Sequence, residues 1–87
     1  MIAPAFDPAR PVLGIIAGGG GVPALVAAAA TAAGRPVCIL AIKGEADASV
    51  ERFPHHWLHW GEIGRLFDLL SRERVGDVVI CGAVNRP

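Results

Sequence analysis

Apolar runs without polar alternation recur along this chain, and between them the pattern switches to helical spacing. Val12-Leu13-Gly14-Ile15-Ile16-Ala17, Val37-Cys38-Ile39-Leu40-Ala41-Ile42 and Asp77-Val78-Val79-Ile80-Cys81 read as strands buried on both faces. Residues 23–33 are rich in alanine, the best helix former, with Pro23 suited to the first turn and Gly34 supplying the stop. Residues 62–74 predict an amphipathic helix. Ile63, Leu66, Phe67 and Leu70 form its stripe, Arg65, Asp68, Arg72 and Glu73 lie off it, and Val75-Gly76 ends it. Residues 55–60, bracketed by Pro54 and Gly61, suit an extended edge strand better than a helix. Residues 1–11 hold three prolines and no period, and read as a loose arm.

The order strand, helix, strand, edge strand, helix, strand predicts right-handed crossovers and a small parallel sheet. The expected architecture is a Rossmann-like three-layer α/β fold, with strands near 12–17, 37–42 and 77–81 and an edge strand near 55–60. Ligands on such sheets bind beyond the carboxyl ends of the strands. Three glycine-containing loops should meet there: 18–21, 43–47 and 82–86. The first, Gly18-Gly19-Gly20-Gly21, joins a buried strand to a helix start, where unpaired N–H groups favour an anion such as phosphate. The alternative is a tight turn that needs glycine only for its geometry.

Composition narrows the classes. Eighty-seven residues make a single small domain, and 53% of them are hydrophobic. So much apolar surface on so short a chain is expected to face another domain or another subunit, a homodimer included. The net charge is zero, and no basic patch is interleaved with aromatics, so nucleic acid is not an expected partner. The uncharged stretch 11–34 is broken by the glycines and Pro23, which argues against a membrane span. The start is not a positively charged leader. Cys38 and Cys81 lie in apolar runs and are expected to be reduced and buried, which suits a cytoplasmic protein.

Candidate chemistry is sparse. Gly19-x-Gly21-x-x-Ala24 satisfies a loose dinucleotide pattern, but Lys43 stands where an acidic ribose-binding residue belongs. That leaves a stand-alone nucleotide- or NADP-binding module as the alternative function, and a purely structural domain as a third. No G-K-[ST] is present, which excludes a nucleotide-hydrolysing P-loop. His55, His56 and His59 would need a helix to bring His55 and His59 onto one face for a metal, and no Cys or carboxylate joins them at ligand spacing. Glu45 and Asp47 offer oxygens to magnesium, or are simply solvated. Gly64, in the first turn of its helix, leaves room for a close approach, with a simple packing contact as the alternative cause. Arg86, just past the last strand, could pair bidentately with a phosphate, or is an ordinary surface arginine. No nucleophile–base pair emerges, since Ser71 sits at a helix end.

Read together, Gly14-Ile15-Ile16-Ala17-Gly18-Gly19-Gly20-x-x-Pro23, Lys43-Gly44-Glu45-Ala46-Asp47, Gly61-Glu62-Ile63-Gly64-Arg65-Leu66 and Gly82-x-Val84-x-Arg86-Pro87 form an ordered set. They resemble the amino-terminal domain of the UDP-2,3-diacylglucosamine pyrophosphatases of lipid A synthesis in Gram-negative bacteria. Two departures stand out: Glu62 replaces the glutamine often found there, and Asn85 sits at a variable position. The resemblance implies a two-domain, magnesium-dependent hydrolase that cleaves UDP-2,3-diacylglucosamine to UMP and lipid X. It implies that 12–87 is an incomplete amino-terminal domain, inactive alone, with the catalytic residues and metal ligands in a carboxyl-terminal domain outside this chain. It further implies cytoplasmic placement, with peripheral contact at the inner membrane face. The supporting wall for substrate is then Gly18, Gly19, Gly20, Gly21, Lys43, Gly82, Asn85 and Arg86; which part of the substrate each meets is left open.

Overall fold

A computed structural model describes residues 11–83. Its elements run β1 (Val12–Ala17), α1 (Val22–Ala32), β2 (Val37–Ile42), a 3-10 turn (Ala48–Arg52), β3 (His55–Leu58), α2 (Ile63–Arg72) and β4 (Val75–Cys81). The four strands form one sheet in the order β3-β2-β1-β4, and every neighbouring pair is parallel. This is the expected Rossmann-like arrangement. The proposed arm, residues 1–10 of it, and Val84 to Pro87 lie outside the described residues.

Side-chain alternation along the parallel strands divides the core into two sheets of contacts. On one face Ile15, Ala17, Val37, Ile39 and Ala41 pack with Ala27 of α1 and Val50 of the 3-10 turn. On the other, Cys38, Leu40 and Leu58 pack with Leu69 of α2, joined by Ile16, Leu66 and Leu70. All six residues of β2 are buried, as its unbroken apolar run predicts. Each fully buried Ile or Leu contributes about 1.5 to 3 kcal/mol of transfer free energy. Alanine suits α1 because small side chains let the helix sit close to the sheet: Ala24 and Ala27 are buried, whereas Leu25 faces outward.

Several expectations need correction. β4 is not a fully buried strand. It is an edge of the described sheet, and Val78, Val79 and Ile80 are all exposed. An apolar run reports that a strand wants cover on both faces, not that these residues supply it. β4 also begins earlier than expected, because Arg74 takes the left-handed conformation at φ +57° and turns the chain. Val75 then pairs with Val12, and Gly76 lies so close to the Pro11 ring that any side chain would collide. In α2 the buried stripe is Leu66, Leu69 and Leu70, while Phe67 is 67% exposed. Adjacent apolar pairs at 66–67 and 69–70 allow two helix rolls. Contact with Cys38, Leu40 and Leu58 selects the second. Gly64 meets nothing where a side chain would stand, so no close approach explains it among the described residues. Cys38 is buried as expected, but Cys81 is only partly covered; both are free thiols.

Candidate functional site

The strand order reverses between β1 and β4, and crevices at such switch points are the usual ligand sites of open α/β sheets. Here the crevice is partly closed by the chain itself. Gly18 donates its N–H to Cys81 O at 2.9 Å, Gly19 donates to Ala83 O at 2.7 Å, and Ala83 donates back to Gly19 O at 3.0 Å. A Cβ on Gly82, which has φ +97°, would stand 2.8 Å from Gly18 C. A Cβ on Gly19 would stand 2.8 Å from Glu45 O. The three expected loops therefore do meet, through residues 18–19, 45 and 82–83, and they meet backbone to backbone. Only glycine tolerates such approach.

The glycine run thus has two halves with different physics. The N–H groups of Gly18 and Gly19 serve the chain's own carbonyls. Gly20 and Gly21 meet nothing within 4 Å at the Cβ position, and their N–H groups have no partner among the described residues. Gly20 needs its glycine for φ +86°. Gly21 is the N-cap of α1 at φ −88°, with no side-chain cap and Pro23 in the first turn. The space beside both residues is open, and the Gly21 amide is among the unpaired N–H groups of a helix start.

Lys43 follows β2 at the same edge. Its own N–H donates to Leu58 O at 2.8 Å, and its Nζ lies 3.4 Å from His59 Nε2. Asn85 and Arg86 lie outside the described residues. Asp47 is engaged locally: its carboxylate accepts from the Ser49 hydroxyl and from Ser49 N at 2.9 Å, capping the 3-10 turn. Those two hydrogen bonds, the hydroxyl's first, hold its pKa below the usual carboxylate value. The Glu62 carboxylate accepts from His59 N at 2.7 Å and lies 3.4 Å from Arg65. The His59 amide is the main cause that lowers its pKa. The residue that departs from the family's usual glutamine therefore closes its own turn. The Asp47 and Glu62 carboxylates are thus both engaged within their own turns.

Two features escaped the sequence reading. One is a cavity of about 260 Å³ on the α2 side of the edge, lined by Ile16, Gly18, Ile42, Leu58, Trp60 and Ile80 among others. His59, Glu62 and Leu66 complete its lining. Its lining comes from every strand and the β3–α2 turn, so no local motif announces it. The other is a cluster at the opposite end of the sheet, where Cys38, His56 and Glu73 converge. The histidine segment is a strand, so His55 and His59 do not share a helical face. It is His56 alone that gains a cysteine and a carboxylate, from residues 18 and 17 positions away, which linear spacing could not show.

These features define a Rossmann-like α/β domain with a partly zipped switch point, an open helix start and an apolar cavity at the same sheet edge. The family follows from sequence comparison: the profile of the LpxI N-terminal domain matches residues 12–87, and the chain belongs to that family. A similar protein, the UDP-2,3-diacylglucosamine pyrophosphatase LpxI of Caulobacter vibrioides, is 39% identical over 75 residues. That alignment covers 86% of this chain and 27% of the relative, so the chain spans about a quarter of the relative's length.

Proposed function

We propose that this chain is the amino-terminal, substrate-binding part of a UDP-2,3-diacylglucosamine pyrophosphatase, which yields UMP and lipid X. The observation that carries the reading is an open half of the glycine loop at the same sheet edge as an apolar cavity that Gly18 helps to line, within a chain of the LpxI family. The substrate is a diphosphate joined to an acylated sugar, so its binder needs both an anion receptor and apolar shelter. The Gly20 and Gly21 amides, at the positive end of α1, suit phosphate oxygens. The Lys43 ammonium adds a full charge at the same edge. The cavity lined by Ile16, Ile42, Leu58 and Ile80 suits an apolar part of the ligand. Gly19 and Gly82 act by setting the loop's shape, and Gly18 both pairs with β4 and forms part of the cavity wall.

Catalytic groups and magnesium ligands belong, on this reading, to a further domain closing over the same edge. The exposed Val78, Val79 and Ile80 of β4 suit cover by such a neighbour, with a second subunit as the other occupant. No helix among the described residues is long and apolar enough to cross a membrane. A cytoplasmic enzyme meeting its acylated substrate at the inner membrane face is consistent with that. The deciding experiment is release of UMP from UDP-2,3-diacylglucosamine by the intact gene product, with and without magnesium. Magnesium-dependent release is the expected result. Binding of NADP without any hydrolysis would instead favour the stand-alone module.

A further inference from the structure

At the amino ends of β2 and β3, far along the strands from the glycine loops, three side chains of different elements converge. Cys38 is the second residue of β2, His56 the second of β3, and Glu73 caps the carboxyl end of α2. Parallel register sets Leu40 beside His56, so Cys38 and His56 lie on the same face of the sheet, diagonal to one another. α2 covers that face and brings Glu73 down onto it. The Cys38 Sγ, a His56 ring nitrogen and a Glu73 carboxylate oxygen all lie within 4.8 Å of one another. We propose that Cys38, His56 and Glu73 form a binding site for a borderline-soft divalent ion, zinc in the first place, that ties α2 to β2 and β3.

The donor set decides the metal. A thiolate, an imidazole and a carboxylate are zinc ligands, whereas magnesium and calcium take oxygens. Bond lengths near 2.0 to 2.3 Å require tetrahedral ligand atoms about 3.5 Å apart. His56 Nε2 and Glu73 Oε1 already stand 3.0 Å apart. A small rotation of the side chains draws the sulfur in, and water completes the fourth position, because His56 and Glu73 are only part-buried. The Cys38 thiol is 3% exposed and has no hydrogen-bond partner among the described residues, so nothing else there claims it. On binding, the thiol proton leaves to solvent, sulfur forms the metal bond as thiolate, and the pair's carboxylate and neutral imidazole supply the other two bonds. Burial, then the nearby Glu73 charge, pushes the Cys38 pKa up to about 11, and a divalent ion in this position opposes both effects.

The protein, kept reduced and stripped with a chelator, is titrated with zinc alone, and separately with cobalt(II) as a spectroscopic stand-in. Expected are saturable binding of one ion per chain, a melting temperature that rises with zinc concentration, and a thiolate-to-cobalt charge-transfer band. His56→Gln and Glu73→Gln, both at part-exposed positions that leave the core intact, should each weaken zinc binding more than about tenfold. Cys38→Ser should abolish the charge-transfer band, and Cys81→Ser should leave it unchanged. If Cys38→Ser fails to fold, His56→Gln still decides the matter. No zinc binding, binding unaffected by His56→Gln, or a band that survives Cys38→Ser but not Cys81→Ser would each overturn the site.

Discussion

Glycines 18 to 21 are identical in sequence and different in physics, and that difference separates folding from binding at single residues. Gly18, Gly19 and Gly82 lie against backbone, whereas Gly20 and Gly21 face open space. Gly82→Ala combines a disfavoured φ with a collision against Gly18, and should destabilise the fold by at least about 1 to 3 kcal/mol in urea unfolding. Measured stability equal to the parent's would show that residues 82–83 do not zip onto the loop. The sequence made the run conspicuous, but it could not tell which amides are paired, because the partners, Cys81 and Ala83, lie some 60 residues on. Asp47 gives a test at the same scale. Its folded pKa is depressed from the usual 3.8, so its contribution is present above that value and disappears as pH falls through the folded value. Asp47→Asn should therefore reduce stability near neutral pH and flatten the acid limb of the unfolding midpoint below roughly pH 4. An unchanged acid limb would remove the capping role.

At the scale of elements, each strand and helix was legible from its pattern, and boundaries and facing were less so. β1, β2 and the alanine helix fall within a residue of expectation. The α2 stripe did not, because Ile63-Leu66-Phe67-Leu70 and Leu66-Leu69-Leu70 are both acceptable apolar faces. The choice is made by what the sheet presents, a tertiary matter that periodicity does not contain. Leu69, 4% exposed, should cost about 2 to 5 kcal/mol on truncation to alanine. Phe67→Ser, at a 67% exposed position, should stay within about 0.5 kcal/mol of the parent. Thermal or urea denaturation of the two variants checks the roll of the helix directly. The reverse ranking would mean that α2 presents Phe67 to the sheet.

The whole molecule is organised by its two ends. Strand carboxyl ends carry the zipped glycines, the open helix start, Lys43 and the apolar cavity; strand amino ends carry Cys38, His56 and Glu73. Four short motifs in order pointed to the family, and the family profile over 12–87 agrees with them. What the sequence withheld is what the fold assembles from distant segments: the cavity, the cysteine–histidine–carboxylate cluster, and the exposure of β4. The exposed Val78, Val79 and Ile80 of β4 suit cover by a neighbour, and on the proposed reading substrate would be held between that neighbour and this domain.

The central claim is that the Gly20–Gly21 amides at the start of α1 receive the substrate's negative charge. Gly21 is the position to change, since its backbone suits ordinary residues and its surroundings are open. Aspartate and serine are both better N-caps than glycine by a few tenths of a kcal/mol, so neither Gly21→Asp nor Gly21→Ser should lower the melting temperature. Steady-state hydrolysis of UDP-2,3-diacylglucosamine by the intact enzyme then separates them: KM should rise more than about tenfold for Gly21→Asp, by charge repulsion at the phosphate, and little for Gly21→Ser. A normal KM for a well-folded Gly21→Asp enzyme would contradict the account.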